Sequence, residues 1–117
     1  MSSLSKDVTI KQAQEEVKRF LVKQGRDWTQ IDNHFYVFTH LSEEMGELAR
    51  HIINADFNPL LKTRKHASRA KTIFQIKDDL GDILYHLFKL AIAYNIDLAT
   101  AFEQAMIEIR KKYAKTP

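Results

Sequence analysis

"EEMGELARHI", residues 43–52, sets Glu43, Glu44 and Glu47 among apolar residues, and "DDLGDILYHL", residues 78–87, repeats the arrangement with Asp78, Asp79 and Asp82. Each stretch reads two acids, an apolar residue, a glycine, an acid and a hydrophobic run. Positions three apart on a helix share a face, so Glu44 pairs with Glu47 and Asp79 with Asp82. Two helices that each carry such a pair can bring four carboxylates to one point. Four like charges in a partly dry site repel strongly unless a cation sits among them. Mg²⁺ or Mn²⁺, hard cations that take oxygen ligands, meet that need. Gly46 and Gly81 belong to the same picture. A glycine inside a helix costs about 1 kcal/mol relative to alanine, and close helix approach or room for a ligand beside the acids would account for it. The plain alternative is a solvated face on which each acid pairs with Lys or Arg. That alternative suffices for one acid pair. Two matched pairs on consecutive long helices shift the balance toward a metal site.

Apolar spacing around these stretches predicts an all-α protein. Ile10, Ala13, Val17, Phe20, Leu21 and Gln24 trace one stripe of a first helix that starts after Asp7 or Thr9, with Gly25 as its C-terminal cap. "RDWTQIDN", residues 26–33, reads as a polar connector in which Asn33 can cap the next helix. The second helix is expected over 34–54, with Phe38, Leu41, Met45, Leu48 and Ile52 as a buried seam. Residues 55–71 are ambiguous, with helical turns over 60–71 as one reading. The third helix is expected over 71–94. Ile73, Ile76, Leu80, Ile83, Leu87, Leu90 and Ala91 form one stripe there, and Leu84, Phe88 and Ile92 form a second apolar face. A helix apolar on two faces is central in a bundle or lies at a subunit contact. Asn95 stops that helix in a left-handed conformation. Asp97 caps a fourth helix striped by Leu98, Ala101, Phe102, Ala105 and Ile109. The expected fold is therefore a four-helix bundle, completed by homodimerisation, in a single domain over 1–117.

Composition supports that reading. The chain has 117 residues, enough for one core, with only three glycines and two prolines. It has no cysteine, which removes disulfides and thiolate metal sites. No apolar run reaches the roughly 18 residues of a membrane span, and "MSSLSKDVTIKQ" lacks the apolar centre of a signal peptide. A soluble cytoplasmic protein is the default expectation. The net charge of +3 is unevenly spread. Lys62, Arg64, Lys65, Arg69, Lys71 and Lys77 fall in a stretch without acids, and Arg110, Lys111, Lys112 and Lys115 crowd the end. Such segments can hold a polyanion, although a solvated loop explains the first of them equally. A nucleic-acid partner is not expected, because no recognition-helix motif is present.

The histidines bear on the choice of metal. His40, Glu44, Glu47 and His51 are spaced four, three and four along one helix, and Asp82 and His86 stand four apart on the next. This spacing can point to a transition-metal centre, but the Glu-x-x-His pairs of di-iron bundles are absent. A histidine one turn from an acid reads as an ordinary helix-surface partner.

"EEMGEL" followed by "DDLGDILYHLFKLAIAYNIDLATAFEQ" resembles the MazG-like all-α nucleoside triphosphate pyrophosphohydrolases, whose signature is Glu-Glu-x-x-Glu, a spacer, then Glu-x-x-Asp. The likeness covers about residues 26–113, and Glu43, Glu44 and Glu47 match the first motif in full. It implies cleavage of a (d)NTP between its α and β phosphates to (d)NMP and pyrophosphate, a clearance of surplus or noncanonical nucleotides. It implies Glu44, Glu47, Asp79 and Asp82 as ligands of Mg²⁺, with Mn²⁺ as a substitute. Glu43 and Glu44 are then the catalytic acids, with Glu43 orienting or deprotonating water or binding a further ion. Trp28 stacks on the base or plugs the end of the bundle, and Arg110 and Lys112 match basic positions that meet the phosphates. A homodimer or homotetramer is implied as well.

Three departures stand out. Asp79 occupies a position where the family usually has Glu, so that arm is one methylene shorter. The spacer from Glu47 to Asp79 is long. Ala105 and Ile109 align with a Lys and an Asn that often touch the phosphates in the family. Those last two keep a competing reading open: a non-catalytic helical module of the same fold, used for dimerisation or nucleotide sensing.

Overall fold

The computed structural model of the chain describes residues 7–25, 31–56 and 69–114. Among them are four α-helices and no strand: α1 Ile10–Lys23, α2 Ile31–Asp56, α3 Arg69–Ala93 and α4 Leu98–Ala114. The all-α expectation holds. The chain divides into two compact units, Met1–His34 with Phe88–Pro117, and Phe35–Leu87.

In the first unit, local chemistry sets the helix ends. Thr9 has extended backbone angles, its hydroxyl accepts from the Gln12 amide at 3.1 Å, and its own amide donates to Gln12 Oε1 at 2.9 Å. This reciprocal capping box satisfies two of the donors that a helix start leaves unpaired. Gly25, at φ +68°, closes the other end and donates to the Val22 carbonyl at 2.9 Å. Leu21 is the buried residue of α1, while Phe20 and Gln24 of the expected stripe are exposed.

The corner between α3 and α4 is built as tightly. Asn95 takes φ +55°, Ile96 donates to the Ala91 carbonyl at 2.8 Å, and Asn95 donates to the Ile92 carbonyl at 3.0 Å. That pair of bonds is the Schellman arrangement, and it ends α3 where the sequence places the stop. Asp97 then caps α4, accepting from the Ala99 amide at 3.1 Å and the Thr100 hydroxyl at 3.0 Å. Gln14 of α1 brackets the same corner. Its Nε2 donates to the Ile96 carbonyl at 2.8 Å, and its Oε1 accepts from the Leu98 amide at 2.9 Å. Phe88, Ala91 and Ala93 are buried in this unit, and the rings of His34 and Tyr94 lie 4.2 Å apart. No residue of α4 is buried, so Ala101, Phe102, Ala105 and Ile109 are exposed rather than core.

In the second unit, α2 and α3 run antiparallel, since His51 meets Asp79 while His40 stacks on His86 at 5.9 Å. Val37, Thr72 and Ile83 are buried there. The expected seam of α2 behaves differently from its reading in sequence. Phe38 is 56% exposed, Met45 51% and Ile52 39%, while Leu41 and Leu48 are half-buried. On α3, Ile73, Leu80, Leu84 and Leu87 are likewise exposed. The reason is geometric. Two helices bury one stripe of each against the other, and the stripe of α2 turned to α3 carries His40, Glu44 and His51. The hydrophobic stripe lies beside that contact.

Two helix-end expectations are also corrected. α2 begins at Ile31, so Asn33 lies inside the helix and not at its cap. α3 begins at Arg69, and residues 57–68, with Lys62, Arg64 and Lys65, lie outside the described residues. Replacing the capping hydroxyl in Thr9→Ala should lower stability by about 1 kcal/mol, read as an earlier midpoint in urea unfolding followed by circular dichroism.

Candidate metal centre

One face of α2 and one face of α3 position the candidate site within the second unit. On α2, His40, Glu44, Glu47 and His51 follow one another at spacings of four, three and four. On α3, Asp79, Asp82 and His86 follow at three and four. Both sets lie within single long helices, so the backbone fixes the spacing, and antiparallel packing brings the two rows together.

Asp79 is the most enclosed acid, 4% exposed, and His51 opposite it is 8% exposed. Their contact crosses from α3 to α2 at 2.5 Å, with His51 Nδ1–H donating to Asp79 Oδ2. A buried carboxylate without such a donor would carry a large desolvation cost. Glu47, His51 and Asp79 each offer one ligand atom within 4.8 Å of the others. Oxygen ligands at about 2.1 Å from a small cation lie ~3 Å apart when adjacent and ~4.2 Å apart when opposite. Modest side-chain movement would therefore bring Glu47 and Asp79 onto one ion, with His51 held against Asp79. Glu47 also approaches Arg50 at 4.0 Å, a surface pair too open to hold the carboxylate firmly.

Glu44 reports on the remaining acids. Its carboxyl is held above the ordinary value of 4.5, first by partial burial, then by the charges of Asp82, Glu47 and Asp79, with His40 pulling the other way. The pairs predicted from sequence thus act on one another across the two helices. Asp82 and Glu43 are exposed. Among the described residues, then, oxygen ligand atoms outnumber nitrogen ones, and a cation would relieve their mutual repulsion. The set fits a hard divalent ion.

Sequence reasoning placed Glu44, Glu47, Asp79 and Asp82 together; the structure gathers Glu47 and Asp79 with His51, while Glu44 senses the charges of Asp82, Glu47 and Asp79. It assigned His51 to the helix surface, whereas His51 is buried against Asp79. The signal was present, four residues beyond Glu47 on the same face. Gly46 and Gly81 do not mark a close helix approach, because an added Cβ at either meets nothing within 4 Å. Arg110 and Lys112 are exposed on α4 in the first unit, and Trp28 lies outside the described residues.

The chain matches the MazG nucleotide pyrophosphohydrolase domain over residues 33–115. It belongs to that family. Members of the MazG family are nucleotide pyrophosphohydrolases, hydrolases acting on phosphoric anhydrides, and this chain is one of them. The matched range takes in both acidic rows, His51, Arg110 and Lys112. No curated protein and no solved structure matches the chain. No helix of the described residues is long and apolar enough to cross a membrane.

The crowding at Glu44 has a definite pH signature. A carboxyl whose folded value is raised favours the folded chain when protonated. The penalty is absent below the unfolded value near 4.5 and grows as pH rises through the folded one. Glu44→Gln should therefore raise the melting temperature of the metal-free protein at neutral pH, and the gain should vanish in acid. Thermal unfolding of both proteins across a pH series checks this.

Proposed function

We propose that this MazG protein is a Mg²⁺-dependent nucleoside triphosphate pyrophosphohydrolase. It adds water across the α–β anhydride of a (d)NTP, giving (d)NMP and pyrophosphate, and it clears surplus or noncanonical nucleotides in the cytoplasm. The observation that carries the reading is the meeting of carboxylates from α2 and α3, registered at Glu44 by the charges of Asp82, Glu47 and Asp79.

Glu44, Glu47, Asp79 and Asp82 would hold the ion, Mg²⁺ or in its place Mn²⁺. When bound, such an ion supplies a more acidic water and neutralises charge on the departing pyrophosphate. The side chains do the rest. Glu44 acts there as a ligand whose charge the ion would offset. Glu43, next to it and exposed, orients or deprotonates that water, or holds a further ion. The resemblance assigns Arg110 and Lys112 to the phosphate oxygens and Trp28 to the base. The exposed apolar stripe of Phe38, Met45 and Ile52 supports a homodimer or a higher homo-oligomer, since exposed apolar area of this kind favours association.

A second reading has its own observation. Ala105 and Ile109, exposed on α4, carry no polar atom beyond the backbone where phosphate contacts are implied by resemblance. A nucleotide-sensing or dimerisation module of the same fold would bind without turnover.

A panel of NTPs and dNTPs with Mg²⁺, assayed for pyrophosphate release, separates the two. Turnover of at least one nucleotide is expected, falling by at least about 100-fold in Glu47→Gln and Asp82→Asn, each the removal of a metal ligand, with helical content unchanged. Activity that survives both substitutions, or nucleotide binding without any release, would overturn the enzymatic reading.

A further inference from the structure

We propose that His51 is a positioning residue for the metal centre: its Nδ1–H clamps Asp79 Oδ2, so that Asp79 presents Oδ1 to a divalent cation shared with Glu47. The inference rests on the metal-site reading above and adds a residue that acts through Asp79.

The geometry separates this role from direct ligation. Two ligand atoms on one small cation, each about 2.1 Å from it, lie ~3 Å apart. His51 Nδ1 and Asp79 Oδ2 stand 2.5 Å apart, closer than two such ligand atoms, and a shared proton bridges that separation. Oδ2 is therefore engaged, and Oδ1 is the oxygen left for a metal. Burial strengthens the clamp. Both side chains are almost wholly enclosed, which keeps water from competing for the bond. The clamp also spans two helices, joining the face that carries Glu47 to the face that carries Asp79 and Asp82. Orienting partners of this kind, behind the ligands, typically change metal affinity by 10–100-fold. Among the described residues, Glu47 has an ion pair only with the exposed Arg50 at 4.0 Å, so Asp79 is the more firmly oriented ligand of the two.

The test uses Mn²⁺ alone, titrated into the full chain and followed by electron paramagnetic resonance. His51→Leu should weaken Mn²⁺ binding by about 10–100-fold. His51→Asn, whose side-chain amide donates from nearly the place of Nδ1, should recover most of that loss. Unchanged affinity in His51→Leu, or an equal loss in His51→Asn, overturns the positioning role. Glu47→Gln serves as the reference for the site itself. If it leaves Mn²⁺ binding intact, the metal-site reading fails. If it abolishes binding while His51→Leu does not, only the clamp fails. Nitrogen-15 NMR of the metal-free wild-type protein needs no variant to fold. The His51 ring should carry a proton on Nδ1, and a ring protonated on Nε2 alone overturns the proposal.

Discussion

Polar groups share the contact between α2 and α3 with Val37 and Ile83, at places where a helix pair would ordinarily have Leu and Ile. His40 stacks on His86, His51 holds Asp79, and Glu44 feels three further carboxylates. Concentrating like charge along a packed stripe works against folding, since each acid is partly stripped of water and faces others of its sign. The arrangement is stable only with compensation, and the histidines at either end provide part of it. The remainder is the property that suits the stripe to a cation. The acids that weaken the packing are thus the ones the proposed metal site would use.

That trade explains the exposed hydrophobic surface. With the acidic and histidine stripe of α2 directed at α3, Phe38, Met45 and Ile52 have no place in the same contact. They recur at every seventh residue, so they fall on one side of the helix. α3 shows the same feature at Ile73, Leu80 and Leu87, and α4 buries nothing at all. The hydrophobic residues are present in the number and spacing that a core needs, but the single chain leaves many of them in water.

Local signals were read from the sequence with good accuracy because their physics is local. Thr9, Gly25, Asn95 and Asp97 each set a helix end through bonds to residues within five positions, and each lies where expected. The pairing of acids at spacing three was legible for the same reason. The burial of the α2 stripe was not, because periodicity says which residues share a face and not which face meets a neighbour. His51 shows the limit most clearly. Its spacing from Glu47 was visible, but its partner is 28 positions away on another helix. Asn33 failed as a cap because α2 starts two residues before it.

The Gln14 bracket has a consequence for where this protein can be cut. Resemblance to the MazG domain begins at residue 33, which leaves α1 outside the matched range. Yet one amide side chain from α1 holds both the carbonyl of Ile96 and the amide of Leu98, the two backbone groups at the hinge where the last helix departs. A chain trimmed to the boundary of the matched domain would keep every acid of the two rows. It would also hand that hinge back to solvent and loosen the helix that bears Arg110 and Lys112.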